Sequence, residues 1–180
     1  MTPTRTVEIV DHDPGWPALF SDLARVLGNA LGDLSLSIEH VGSTAIPNLA
    51  AKPVIDLDVV IGVCPELPEV IRALADYGYI HQGDLGITGR EAFHRAGEDV
   101  PRDGSGRTWP SHHLYVCARD SEELKRHLAF RDYLREHPDA RRDYETLKRR
   151  LARAFRHDID GYVAGKAAFV EDILRRSRSP

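Results

Sequence analysis

Residues 38–61, IEHVGSTAIPNLAAKPVIDLDVVI, decide how the rest of the chain is read. A short apolar strand runs into Gly42-Ser43-Thr44. A connector follows, and a β-branched run then carries Asp56 and Asp58. Residues i and i+2 of a strand point to one face, so these carboxylates project side by side while Ile55, Leu57, Val59 and Ile61 face the other way. Paired carboxylates on an otherwise apolar strand are costly unless something neutralises them. A divalent cation with a preference for oxygen ligands is the natural partner. Ser43 lies 13 residues ahead of Asp56, in a turn whose backbone N–H groups suit a phosphate. Metal beside phosphate points to phosphoryl or nucleotidyl transfer. Exposed aspartates on an edge strand are the plainer alternative, and the apolar neighbours Val54, Val59, Val60 and Ile61 argue against it.

Outward from this stretch, strands and helices mix up to about residue 118 and helices follow to the end. Thr6–Val10 alternates like a short strand. Leu19, Phe20, Leu23, Val26, Leu27, Ala30 and Leu31 recur at helical spacing up to Gly32. Ser35–Val41 and Val54–Ile61 read as strands, Glu66–Tyr77 as an amphipathic helix after Pro65, and Tyr79–Ile80 as the start of another strand. Residues 81–110 are polar and glycine-rich, and predict a hairpin with a mobile loop or an active-site cover. His112–Ala118 is a further strand. Ser121 caps a helix with Glu122 and Glu123 in its first turn, and the helical pattern breaks near His137-Pro138 and again near Asp160-Gly161. The expectation is one α+β domain over 1–180, with a sheet-containing part at about 1–118 and a helical part at about 119–180.

Bulk composition narrows the function classes. Charged residues make up 29% and hydrophobic ones 42%, as in ordinary soluble proteins. No apolar run reaches membrane-spanning length, and the N-terminus lacks a secretory apolar core, so no membrane partner is expected. Cys64 and Cys117 form neither a zinc spacing nor a disulfide framework, which suits a reduced, cytoplasmic setting. Residues 1–118 carry 8 Lys+Arg against 16 Asp+Glu, whereas 119–180 carry 16 against 12. The basic half reads either as solvated helix faces or as a surface for an acidic partner, and it falls short of a dedicated nucleic-acid surface.

Other candidates cluster around the same chemistry. Lys52 either neutralises phosphate or snorkels at a strand end. His113 shares a strand face with Tyr115 and Cys117, and is either a metal ligand, base or substrate contact, or a hydrogen-bonded structural residue. Arg131 follows Leu124 and Leu128 on one helical stripe, where it reaches an anion or pairs with a structural carboxylate. Tyr162 and Lys166 lie at i and i+4 on a helix, where they either approach the phosphates or sit on the surface.

Together these segments resemble the GrpB family, an uncharacterised protein family. The matching residues are HVGSTAIPNLAAKPVIDLDV at 40–59, GREAF at 89–93, HHLYV at 112–116, FRDYLREHP at 130–138, YETLKRRLA at 144–152, and the Tyr162, Lys166 and Phe169 spacing. That family is placed in the nucleotidyltransferase superfamily, and similar domains occur fused to dephospho-CoA kinase. The resemblance implies a nucleotidyltransferase-like mixed β-sheet flanked by helices, with a C-terminal helical segment. It puts Gly42 and Ser43, with Thr44 beside them, in the phosphate-binding turn, and Asp56 and Asp58 at a Mg²⁺ or Mn²⁺ site. Lys52, Arg90 of the GREAF element, Arg131 and Lys166 join as phosphate or substrate contacts, and His113 as a catalytic residue. The implied partners are an NTP and an unidentified small-molecule or protein acceptor; a homodimer is left open. Active polymerase-type members carry a third carboxylate on a later strand, where this chain has His113 and Tyr115, with Glu39 or Glu91 as substitutes. A non-catalytic nucleotide- or metabolite-binding module on the same fold is the alternative.

Overall fold

Alternation in the β-branched segments makes strands with one apolar face, and 3.6-residue periodicity makes helices that cover them. A computed structural model of the chain describes residues 6–62 and 66–178; Cys64 and Pro65, on which expectations were placed, lie outside that range. The elements are α1 (Trp16–Leu31), β1 (Ser37–Val41), β2 (Ile55–Ile61), α2 (Leu67–Asp76), β3 (Tyr79–His81), β4 (Arg90–Arg95), β5 (His112–Ala118), α3 (Glu122–Glu136), α4 (Pro138–Ala154) and α5 (Ile159–Ser177). A proline in the first turn opens α1, α2 and α4, where no intrahelical N–H is lost. Side-chain caps start α3, through Ser121, and α5, through Asp158.

The α+β architecture expected from the sequence is present. Five strands form one mixed sheet in the order β1-β2-β5-β4-β3. Only β2 and β5 pair in parallel; the other neighbours are antiparallel. On one face, Ile55, Leu57, Val59 and Ile61 of β2 join Leu114 and Val116 of β5 against Leu23, Val26 and Leu27 of α1 and Val70 and Leu74 of α2. On the other face, Val60 and Cys117 meet Leu124 of α3. The connector after Gly42 is gripped by the helical tail: Ile46 and Leu49 are buried with Leu134, Ala140, Tyr144 and Ile173.

Two expectations change. Residues 6–10 form no strand; Val10 makes a single antiparallel bridge to Ala51, and Val7 donates to the Arg156 carbonyl at 2.8 Å. The alternation there reflects one buried side chain, Val7, docked on α4 and α5 residues. In the 81–110 segment the hairpin is real, made by β3 and β4, but the loop after it is not a cover. Val100 and Trp109 are buried in the α1–α2 core, and the Trp109 indole donates to the Pro101 carbonyl at 2.7 Å. Arg126, Arg149 and Arg176 are ion-paired at 2.7–2.9 Å with Glu171, Glu145 and Asp172. Among the described residues no helix is long and apolar enough to cross a membrane.

Candidate active site

Asp56 and Asp58 stand on β2, between β1 and β5, on the face covered by α3–α5. Their partners in register are Val41 and Glu39 on β1, and His113 and Tyr115 on β5. Asp58 is wholly buried. One of its oxygens, Oδ2, accepts from His127 Nδ1 at 2.6 Å, while Oδ1 is buried and has no partner. His127 Nε2 lies 3.2 Å from Glu123, one helical turn earlier. Burial opposes charge on the His127 ring, but the hydrogen bonds to Asp58 and Glu123 outweigh it and lift the ring to about 9. Asp56 is partly exposed and accepts from His113 Nδ1 at 2.8 Å.

The Gly-Ser turn packs directly on this pair. Gly42 has φ 70° and ψ −171°. A Cβ there would overlap Asp56 Oδ2 and sit 2.9 Å from its Cγ. Only glycine lets the backbone lie against the carboxylate in this conformation. Ser43 then faces a cleft of about 250 Å³ shared with Lys52, Asp56, His113, Tyr115, Tyr162 and Lys166. Burial pushes the Lys166 ammonium below its usual range, Asp56 draws it back up, and Lys52 pushes it down again. Lys166 Nζ also lies 4.5 Å from the Tyr162 ring centroid.

Of the residues singled out in the sequence, this cleft unites Ser43, Lys52, Asp56, His113 and Lys166, with Gly42 behind it. Three others sit elsewhere. Thr44 is buried and donates to the Val54 carbonyl at 3.1 Å while contacting His40 Nε2 at 3.0 Å. It fixes the connector, and burial drives His40 down to about 4. Arg131 is held by Glu39 at 3.0 Å, Asp132 at 2.7 Å and the His40 carbonyl at 3.1 Å. Of its two sequence readings, the structural ion pair is the one observed. Arg90 faces a second cleft on the far side of Asp56. Both substitutes for a third carboxylate already have partners, although Glu39 stands opposite Asp58 in register. Glu39 is engaged by Arg131, and Glu91 pairs with His81 at 2.6 Å on the opposite face of the sheet.

His127 and Glu123 were not singled out. Their signal was present as an i, i+4 pair on a capped helix, but nothing local says which strand that helix crosses. Lys148 was also missed. It is 1% exposed, donates to the Ala50 carbonyl and faces the Tyr144 ring at 4.8 Å. Burial brings its ammonium down to about 7.

The match to a family model described as GrpB protein runs over residues 6–176. The chain belongs to the GrpB family. The crystal structure of conserved protein GrpB from Enterococcus faecalis superposes with a TM-score of 0.80 at 33% identity, covering 94% of this chain and 96% of that one. The UPF0157 protein YqkA of Bacillus subtilis is 33% identical over 169 residues; these take in 94% of this chain but 46% of YqkA, so the chain spans about half of that relative. Cid1, solved with its short product ApU, aligns over 79% of this chain and 41% of that one at 11% identity and a TM-score of 0.48, too remote to inform chemistry. In this chain Asp56 and Asp58 lie on β2, and the Gly42-Ser43 turn packs against Asp56.

Proposed function

We propose that the protein is a Mg²⁺-dependent nucleotidyltransferase, moving a nucleotidyl group from an NTP to a hydroxyl-bearing acceptor. The observation that carries this reading is the unpartnered, buried Asp58 Oδ1, on the strand face it shares with Asp56, which itself lines a cleft with Lys52, Lys166 and Ser43. A buried carboxylate oxygen without a donor is expensive, and a cation would relieve it. Among the described residues no group of three or more His, Cys, Asp or Glu stands ready to hold a metal. Mg²⁺ keeps several waters and is bound through one or two carboxylates together with substrate phosphates, so in this reading Asp56 and Asp58 would be its protein ligands. Mn²⁺ would fit the same oxygens.

In this reading Asp56 and Asp58 would hold the ion, whose contribution is neutralisation of charge on the triphosphate. Ser43 and the turn backbone, with Lys52 and Lys166, would bind the β- and γ-phosphates. The acceptor oxygen forms a bond to the α-phosphorus as the bond to the β-phosphate oxygen breaks, and pyrophosphate leaves toward the two lysines. His113 donates from Nδ1 to Asp56, which leaves Nε2 to take the acceptor's proton. Rate enhancement would come from positioning and fixed charge. One observation favours a second reading, a nucleotide-binding module without turnover: Tyr115, not a carboxylate, faces Asp58 across β5.

Titration calorimetry with each NTP and Mg²⁺, alongside a pyrophosphate-release assay, separates these readings. The enzyme reading expects Mg²⁺-dependent binding and release of pyrophosphate once an acceptor is supplied, both lost in Asp56→Asn. Binding without release under a broad acceptor panel selects the module. No Mg²⁺-dependent NTP binding, or equal binding by Asp56→Asn, sinks both.

A further inference from the structure

Asp56 is the partition between two clefts. Lys52, Lys166 and Ser43 line one; the other, of about 280 Å³, lies under α3 and α5 and shares Asp56 and Tyr115 with the first. Its walls differ in kind. Phe130 from α3 and Val170 and Leu174 from α5 make it apolar, and Tyr115 adds an aromatic floor. Burial pushes the Tyr115 phenol up to about 12, so it stays neutral and can donate.

The charges that reach this second cleft are accounted for, with one exception. His127 is bound to Asp58 and Glu123. Arg126 is bound to Glu123 at 3.3 Å and to Glu171 at 2.7 Å. Asp56 is bound to His113. Arg90 remains: among the described residues no carboxylate lies within ion-pairing distance of it, and its Nε is buried without a hydrogen-bond partner. Its guanidinium is stacked on Tyr115, with Cζ 4.3 Å from the ring centroid, which fixes the orientation of the fork. A half-buried guanidinium, pre-oriented and beyond ion-pairing distance of the cleft's carboxylates, of which Glu123 is the one that feels its charge, matches an oxyanion on a small apolar molecule.

We infer that this second cleft is the acceptor subsite and takes a small molecule with one carboxylate or phosphate group on an apolar or aromatic body. The inference rests on the nucleotidyl-transfer reading above. In that reading the attacking and leaving oxygens lie in line through the α-phosphorus. An acceptor entering from the Arg90 side meets Asp56 opposite the Lys52–Lys166 side, through which pyrophosphate departs. Arg90 is then a binding residue for the second substrate, not a triphosphate contact.

Methyl NMR of the whole chain tests this with phenyl phosphate, phenylacetate and the neutral benzyl alcohol as probes. Binding in the second cleft shifts the Val170 and Leu174 methyls, whereas binding on the phosphate side shifts those of Ile159 and Val163, which lie along the first cleft. The expected result is that at least one anionic probe shifts Val170 and Leu174. Its affinity should fall at least about tenfold in Arg90→Met and less in Arg90→Lys, with benzyl alcohol indifferent to either change. Which of the two anions binds more tightly distinguishes a phosphate from a carboxylate acceptor. Val170→Phe, which narrows the cleft and leaves Arg90 in place, should also weaken the probes if the arginine variants fold poorly. Shifts confined to Ile159 and Val163, no shifts at all, or equal affinity in wild type, Arg90→Met and Val170→Phe would overturn the inference. Loss of NTP binding with Arg90-dependent probe binding intact would instead remove the donor reading and leave an anion site.

Discussion

Replacing Gly42 with alanine tests whether the turn and the Asp56 carboxylate fit as described. At φ 70° and ψ −171° the residue lies in a region open to glycine almost alone, which costs about 1–3 kcal/mol for any other side chain. The new Cβ would also overlap Asp56 Oδ2, so the carboxylate must swing away and give up its 2.8 Å bond from His113. That pair is partly exposed, so its loss adds no more than about 1 kcal/mol. The sum is about 1–4 kcal/mol, or a fall in Tm of roughly 2–16 °C for a chain of this size. Gly28→Ala is the control. It sits within α1, nothing lies within 4 Å of its added Cβ, and it should stabilise by about 0.5–1 kcal/mol. Urea and thermal unfolding followed by circular dichroism give the stabilities, and calorimetry gives Mg²⁺–NTP affinity for the same samples. Gly42→Ala should lose both stability and nucleotide affinity. If it unfolds within about 0.5 kcal/mol of wild type, the tight approach of turn to carboxylate is wrong.

Three further outcomes follow from the same geometry. The His127 ring is lifted to about 9 in the fold from an ordinary 6.5, so its stabilisation is complete below pH 6.5 and fades as pH rises through 9. In metal-free buffer His127→Gln should therefore lose about 2–3 kcal/mol relative to wild type at pH 7 and much less at pH 9.5; parallel urea midpoints across that range would contradict the Asp58 pairing. Lys148 has the opposite sign: its folded value of about 7 lies below the ordinary 10.5, so wild type should gain stability between pH 7 and 10.5 relative to Lys148→Met, and a flat difference would refute a desolvated ammonium. Thr44→Val removes the donor to the Val54 carbonyl and the partner of His40, and should cost about 1–3 kcal/mol in denaturant unfolding while leaving NTP affinity in the folded protein unchanged.

Much of this fold was legible along the chain because it rests on local periodicity. Alternation in Ile55–Ile61 assigns the two faces of β2, and 3.6-residue spacing with start signals such as Ser121 assigns the helices. The same logic failed at residues 6–10, where alternation came from one docked side chain, and after β4, where a polar, glycine-rich loop turned out to be pinned by Val100 and Trp109.

The sequence by itself determined that two carboxylates share one strand face beside a Gly-Ser turn, and that His113 lies on a strand with Tyr115 on its own face. Strand geometry makes both unavoidable. Only the tertiary structure decided what surrounds them. The order β1-β2-β5-β4-β3 sets His113 beside Asp56, turns Glu91 to the far face and carries Arg90 to a second cleft. The return of α3 over the sheet brings His127 to Asp58 across 69 residues and ties Arg131 to Glu39 instead of the cleft. These pairings depend on which elements become neighbours, and periodicity records only which way each side chain faces within its own element.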